Sequence, residues 1–455
     1  YMPREKEKLP QPQIDLIRKW IDLGLLPTAT GKPILKKKST LNLALSDAPT
    51  GKPDGPPPMP EHLALDPSVV SARPAAISAM AANPWSPLIA LSGQKQVILY
   101  HADTRNLLGI LPYPEGFIES LSFSRNGLLL LAGGGRGGKS GRVAAWEVKT
   151  GRRLLTLGEE YDTILSADVS ADQSLVALGG PAKRVKVYEI STGEILHNIK
   201  KHSEWVTAVS FSPDGVLLAT GDRNGGLYVW EARSGNLFYT LNGHKQAITS
   251  LSWRTDSNLL ASASEEGSIR TWGMINGKQI RTWTAHGGGA LSVDFDKKGN
   301  LVTAGRDKTV KLWNPSGGAI RTISGFPEMV MEARYSHDGS RIIAGDWTGA
   351  VSVWNATDGK KQGDLSANPP SITARIASSQ KLVAEREPAV TDAKAKHAPL
   401  AQAIANANVK LAEAKKTVST ADASRKTADT VLAAAKTALT KATTIRDQAA
   451  KEKTE

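Results

Sequence analysis

The sequence has no cysteine. Disulfides, thiolate metal sites and cysteine nucleophiles are therefore excluded within it. No run of about 18 apolar residues occurs, so no segment reads as a membrane-spanning helix. The chain opens on Tyr1 rather than methionine, without a leading signal stretch, and reads as a processed or trimmed part of a longer one. Paired carboxylates and nucleophile–base sets do not stand out. The closest histidine pair, His197 and His202, lacks metal-ligand spacing. These absences argue against an enzyme.

What is there is a repeat. Aromatic residues recur at Tyr100, Trp146, Tyr188, Trp230, Trp272, Trp313 and Trp354, in steps of 46, 42, 42, 42, 41 and 41 residues. A period of roughly 40–45 residues with that ending predicts β-propeller blades, here seven of them. In the fourth copy, 206–215 alternates apolar and polar and turns at Pro213-Asp214-Gly215. A second strand, a third ending at Trp230 and an outer strand follow. The expected fold is mainly β: a seven-bladed propeller over 73–370, preceded by a short helical fragment and followed by a long helix.

Net charge is +13, and the ends carry most of it: +5 over residues 1–40 and +6 over 371–455, leaving +2 between. Lysines on a linker and an exposed helix account for this, with weak attraction to an anionic surface or partner as the alternative. A specific nucleic-acid reader is not expected, because its basic residues would gather on a folded face among aromatics.

The repeat resembles the WD40 family over about 300 residues. That resemblance implies a non-enzymatic scaffold whose loops bind protein partners. It also implies a hydrogen-bonded tetrad of His, Ser/Thr, Asp and Trp, best matched by His286, Thr303, Asp307 and Trp313. His202 and His244 keep the histidine position. The carboxylate position reads as Asn224 in the fourth repeat, Glu266 in the fifth and Thr348 in the seventh, and is unrecognisable in the first three. Trp205, Arg223, Arg306 and Trp347 fall in or beside the loops and are the candidate protein-binding residues.

The stretch 133–140, GGGRGGKS, fits the phosphate-loop pattern letter for letter. That motif needs a following helix. Here the next residues, RVAAWEV, read as a strand, so an extended Gly-rich hairpin is expected. Nucleotide binding, or anion binding by loop amides with Arg136 and Lys139, is the alternative.

Residues 1–27 combine Met2-Pro3 with a short amphipathic pattern, Ile14, Ile17, Trp20 and Ile21, ending near Gly24. This resembles the tail of a planctomycetal-type cytochrome c domain. The resemblance implies that Met2 is a haem axial ligand, that a c-type haem is attached through a C-x-x-C-H motif outside this sequence, and that the chain is part of an exported, periplasmic electron-transfer fusion. The alternative is a haem-free intracellular WD40 platform. Residues 28–72 read as a basic and Pro-rich linker. LALDPSVVSA within it is offered as a strand added to a blade edge. Met59-Pro60 lacks a following helix and is discounted as a ligand.

Residues 371–455 read as a junction and a long coiled-coil helix, starting at about 385. Alanine recurs every seven residues from Ala407 to Ala449. Ile404, Leu411, Val418, Arg425, Leu432, Leu439 and Arg446 run in step three residues earlier. These are the two seam positions of a coiled coil, whose partner is a second copy or another helix.

Overall fold

The computed structural model describes residues 51–53 and 55–452. The chain divides after Ile372 into two units.

The first unit holds seven four-stranded antiparallel sheets, each made from four consecutive strands. These blades span 80–112, 117–160, 166–199, 206–240, 248–284, 290–323 and 330–366. The repeated aromatic sits at one register in all seven. It pairs across to the second strand as Tyr100–Ile89, Trp146–Leu130, Tyr188–Val176, Trp230–Leu218, Trp272–Leu260, Trp313–Leu301 and Trp354–Ile342. The sequence period is thus the pitch of one blade.

Burial runs from the centre outwards. In the fourth blade the second strand, Leu217–Asp222, is buried at every position, whereas the outer strand, Leu237–Thr240, is mostly exposed. The buried apolar residues form seven clusters, one between each pair of neighbouring blades. No blade has a core of its own. Each apolar face is covered by the next blade, and that mutual burial holds the ring together.

The innermost strands are sheet edges, whose free amides would otherwise lie unpaired. Side chains of the preceding blade take them up. Ser120 Oγ accepts from the Ala167 amide (3.0 Å), Ser166 Oγ from Val209 (2.9 Å), Asp168 Oδ2 from Phe211 (2.8 Å) and Asp294 Oδ2 from Tyr335 (3.2 Å). Short polar residues on the first strands therefore join one sheet to the next.

The ring closes between blades 7 and 1 without a shared sheet. Ile77, Met80, Ile89 and Tyr100 pack against Ile343, Val351, Val353 and Leu365. Around this core, Tyr100 Oη donates to the Ser366 carbonyl (3.0 Å), Arg334 Nε to Met80 (3.1 Å), and Arg341 meets Asp103 at 2.5 Å.

A strap from Met59 to Ile77 reinforces the seam. The Glu61 amide donates to the Lys149 carbonyl (2.8 Å) and the Ile110 amide to Ala64 (2.9 Å). Gln96 holds residues 68 and 69, and Ser71 and Asn368 exchange two hydrogen bonds. The segment read as an added strand thus lies along the outer strand of blade 1 but forms no strand. At the register where blades 3 and 4 carry His197 and Tyr239, blade 1 has Gly109. Leu63 of the strap fills that gap: a Cβ on Gly109 would lie 2.5 Å from Leu63 Cδ1.

The second unit is one α-helix, Ile372–Glu452. It begins earlier than the expected start at about 385 and contains Pro388 and Pro399. An exposed helix tolerates the lost hydrogen bond at each proline and continues through it. At about 1.5 Å per residue it is about 120 Å long. Its apolar residues Ile404, Leu411, Val418, Leu432 and Leu439 are exposed. Among the described residues no helix is long and apolar enough to cross a membrane.

Candidate functional site

At one end of every blade the first strand begins and the second turns into the third. In blades 4, 5 and 6 a hydrogen-bonded relay fastens those two connections together. In blade 6, Trp313 Nε1 donates to Thr303 Oγ1 (2.9 Å), Thr303 lies 2.8 Å from His286 Nε2, and His286 Nδ1 lies 2.8 Å from Asp307. Blade 5 repeats this with Trp272, Ser262, His244 and Glu266 at 2.9, 2.7 and 2.8 Å. Blade 4 uses Trp230, Thr220, His202 and Asp222 at 2.8, 2.8 and 2.9 Å.

Blade 4 corrects one sequence expectation. The carboxylate is Asp222, at the end of the second strand, not Asn224 two residues on. Asp222 also accepts the amides of Asn224 and Gly226, so one side chain both shapes the turn and holds the histidine. Blade 7 has no such relay. Asp346 binds its own turn through Thr348 and Ala350, and the buried Trp354 Nε1 has no partner.

The protonation states follow from burial. Desolvation pulls the His244 imidazole down to about 4, against the Glu266 carboxylate, which raises it. Burial pushes Glu266 up, but hydrogen bonds from Ser268, the Lys245 amide and His244 outweigh it and hold the carboxyl at about 2. Asp307 is likewise held at about 2, against its burial, by Thr309 and His286, and burial lowers His286. In blades 5 and 6 the relay is thus a neutral imidazole donating from Nδ1 to a carboxylate, accepting at Nε2 from a hydroxyl whose oxygen takes the indole N–H. No proton is poised for transfer. The arrangement is a staple.

The staples position the loop end of the ring. Trp205, in the connection that His202 anchors, is 40% exposed, and the Arg223 guanidinium lies 5.0 Å from its ring centroid. The Arg223 amide also donates to the Trp205 carbonyl (2.9 Å). Arg306 reaches from blade 6 to Glu265 of blade 5 at 2.9 Å. Trp347, in the corresponding turn of blade 7, is 53% exposed. The four candidate residues share this end of the ring. Trp205 and Arg223 form one unit, Arg306 sits in an ion pair, and Trp347 stands on another blade.

The glycine-rich stretch forms an extended hairpin between strands Leu129–Arg136 and Ser140–Glu147. No helix follows it. The Gly138 amide that a phosphate would need is taken by Asp162 Oδ1 (3.0 Å).

A cavity of about 820 Å³ occupies the centre of the ring, lined by the first strands and by turns at the opposite end. Glu119, Asp168, Asp294 and Glu332 line it with Arg125 and Arg334. Burial raises all four carboxyls. Asp168 and Asp294 accept amides of the next blade, and Glu332 pairs with Arg334 at 3.0 Å. No group of metal-ligating residues occurs among the described residues.

Comparison with known proteins places this architecture. The family model for the WD domain, G-beta repeat, matches residues 193–231, 235–273 and 277–314. Each match ends one residue past the tryptophan of a stapled blade. The chain is also 31% identical over 70 residues to a bromodomain and WD repeat-containing protein of Dictyostelium discoideum. That match covers 14% of this chain and 3% of the relative's length. The first unit is a seven-bladed β-propeller, and three of its seven repeats match the WD repeat.

The haem expectation is corrected by the composition. None of the 455 residues is a cysteine, so the chain supplies no thiol for c-type haem attachment. The matched family is the WD repeat, and the cytochrome and electron-transfer reading falls with the haem. Met2 and the helical pattern near residues 14–21 lie outside the described residues. Met59, the other Met-Pro methionine, packs on the core between blades 1 and 2.

Proposed function

We propose that this WD40 propeller is a haem-free protein-interaction scaffold that docks partners on its stapled loop end, with the long helix as an assembly arm. One observation carries the reading. Two of its largest exposed aromatics, Trp205 and Trp347, sit at the end where three consecutive blades hold their connections with buried relays. An aromatic held in place by a rigid backbone loses little entropy on binding, which is the character of an interface anchor. The helix carries its apolar seam in the open, and a stripe of that length on a charged helix fits pairing with another helix.

The test compares the full chain with a variant carrying W205A, R223A, R306A and W347A, and with a second variant altered only at the opposite end, in the exposed turn residues Thr255 and Asn258. Each is used as bait with extract from the source cells, and captured proteins are quantified. Partners retained by the wild type and the second variant but lost from the first support the reading. Equal capture by all three refutes it.

A further inference from the structure

The loop end is not uniform in charge. The second-to-third-strand turn of blade 3 exposes Lys183 and Arg184, and the connection into blade 4 exposes Lys200 and Lys201. The corresponding turn of blade 4 exposes Arg223, and the connection into blade 5 exposes Lys245. Across these four connections the acids are Glu204, which pairs with Lys183 at 2.9 Å, and Asp222, buried beneath His202. Trp205 stands in this group, joined to Arg223 by stacking and by a backbone hydrogen bond.

The opposite end is built differently. Asp172, Asp214, Asp256, Asp296 and Asp338 occupy the first turns of five successive blades, spent on the amides and hydroxyls of those turns. At the loop end, the cations of four neighbouring connections therefore gather around one exposed tryptophan on blades 3 to 5. A cationic surface around a fixed aromatic recruits an anionic partner and then anchors it by an apolar contact.

We propose that the Trp205 patch is a docking site for an acidic peptide segment carrying an apolar or aromatic residue, with Lys200, Lys201, Arg184 and Lys245 facing its carboxylates and the Trp205 ring taking its apolar side chain. This rests on the loop-end docking reading and assigns that site its partner chemistry. Three features favour a peptide over a nucleic acid. One face of Trp205 is already covered by Arg223, leaving less ring for stacked bases. The next exposed aromatic at this end, Tyr161, is flanked by Glu159, Glu160 and Asp162, which repel a phosphate backbone running towards it. The patch is also a compact cluster, not a track along a groove. The blade 4 staple beneath it pre-sets the loop, so little ordering remains to be done on binding.

The test uses the full chain and an array of short acidic peptides differing in Asp/Glu number and in the presence of one Trp, Phe or Leu. A short DNA duplex and phosphatidylserine vesicles serve as competing probes. Binding should rise with acid count, require the apolar residue and weaken with salt. W205A should loosen it about tenfold or more. K200E/K201E should abolish it, while alanine at the exposed Thr255 and Asn258 of the opposite end should leave binding as in the wild type. Lys200 and Lys201 are exposed, so the charge-reversal variant provides a folded control should W205A not fold. The proposal is overturned if no acidic peptide binds, if binding ignores both variants, or if DNA or vesicles bind more tightly through the same residues. If it fails while the four-residue variant still loses its partners, only the acidic-peptide assignment falls. If both fail, the docking reading falls too.

Discussion

Replacing Ser262 by alanine is the sharpest probe of the staple. The Ser262 hydroxyl stands between two buried groups, His244 Nε2 at 2.7 Å and Trp272 Nε1 at 2.9 Å. Both lose their partner in Ser262→Ala, and no other hydrogen bond replaces either one. A buried polar atom left unpaired costs roughly 1–3 kcal/mol, so two cost about 3 kcal/mol together after some relaxation. For a domain of this size about 1 kcal/mol moves the melting temperature by roughly 2 °C, so Ser262→Ala should melt about 6 °C below wild type. Ser262→Thr keeps the hydroxyl and copies Thr220 and Thr303 of the neighbouring blades. It should stay within about 1 kcal/mol. In Ser262→Ala with Trp272→Phe the orphaned indole donor is gone as well, so the pair should cost less than the sum of its parts. Tryptophan fluorescence and near-ultraviolet dichroism follow the melt. A Ser262→Ala chain melting with wild type, or Ser262→Thr falling equally far, would refute the relay as a source of stability.

Blade 7 offers the converse case. Trp354 Nε1 is buried without a partner, so Trp354→Phe removes an unsatisfied donor and should cost less than Trp230→Phe by about 1–2 kcal/mol in the same melts. His244, held at about 4 by burial, is neutral in the fold but binds a proton near 6.5 when unfolded. Its contribution is therefore full at neutral pH and is lost as pH falls from about 6.5 to 4. Glu266 and Asp307, held at about 2, add stability that is present above their ordinary range and lost as pH falls towards 2. A magnetic-resonance titration placing the His244 imidazole above pH 6 would contradict this. At the ring seam, a Cβ on Gly345 would sit 2.7 Å from Ile77 Cβ. Gly345→Ala should destabilise the ring, and trimming Ile77 to alanine beside it should recover part of the loss. Independent, additive costs would rule out the contact.

Much of the fold can be read from the spacing of the tryptophans and tyrosines, because each blade repeats one local pattern at one register. The blade 6 residues His286, Thr303, Asp307 and Trp313 could be picked out for the same reason. Blade 4 could not be read as well, because a carboxylate at the end of the strand reaches the same imidazole as one in the turn; sequence alignment prefers the turn. The Gly109 gap and its filling by Leu63 join residues from a segment that reads as linker, and nothing local announces that pairing. The charge of the Trp205 patch was hidden in the chain totals, because its six cations come from four separate connections and the rest of the propeller balances them.

Because every sheet is assembled from four strands in succession, the place where the polypeptide is cut is incidental to the architecture. Joining the ends at the seam and opening the chain in any other connection between blades would preserve all seven interfaces. Such a rearrangement could deliver a fused enzyme or label to any point on the circumference. The ring is thus a turntable on which attached cargo can be indexed blade by blade.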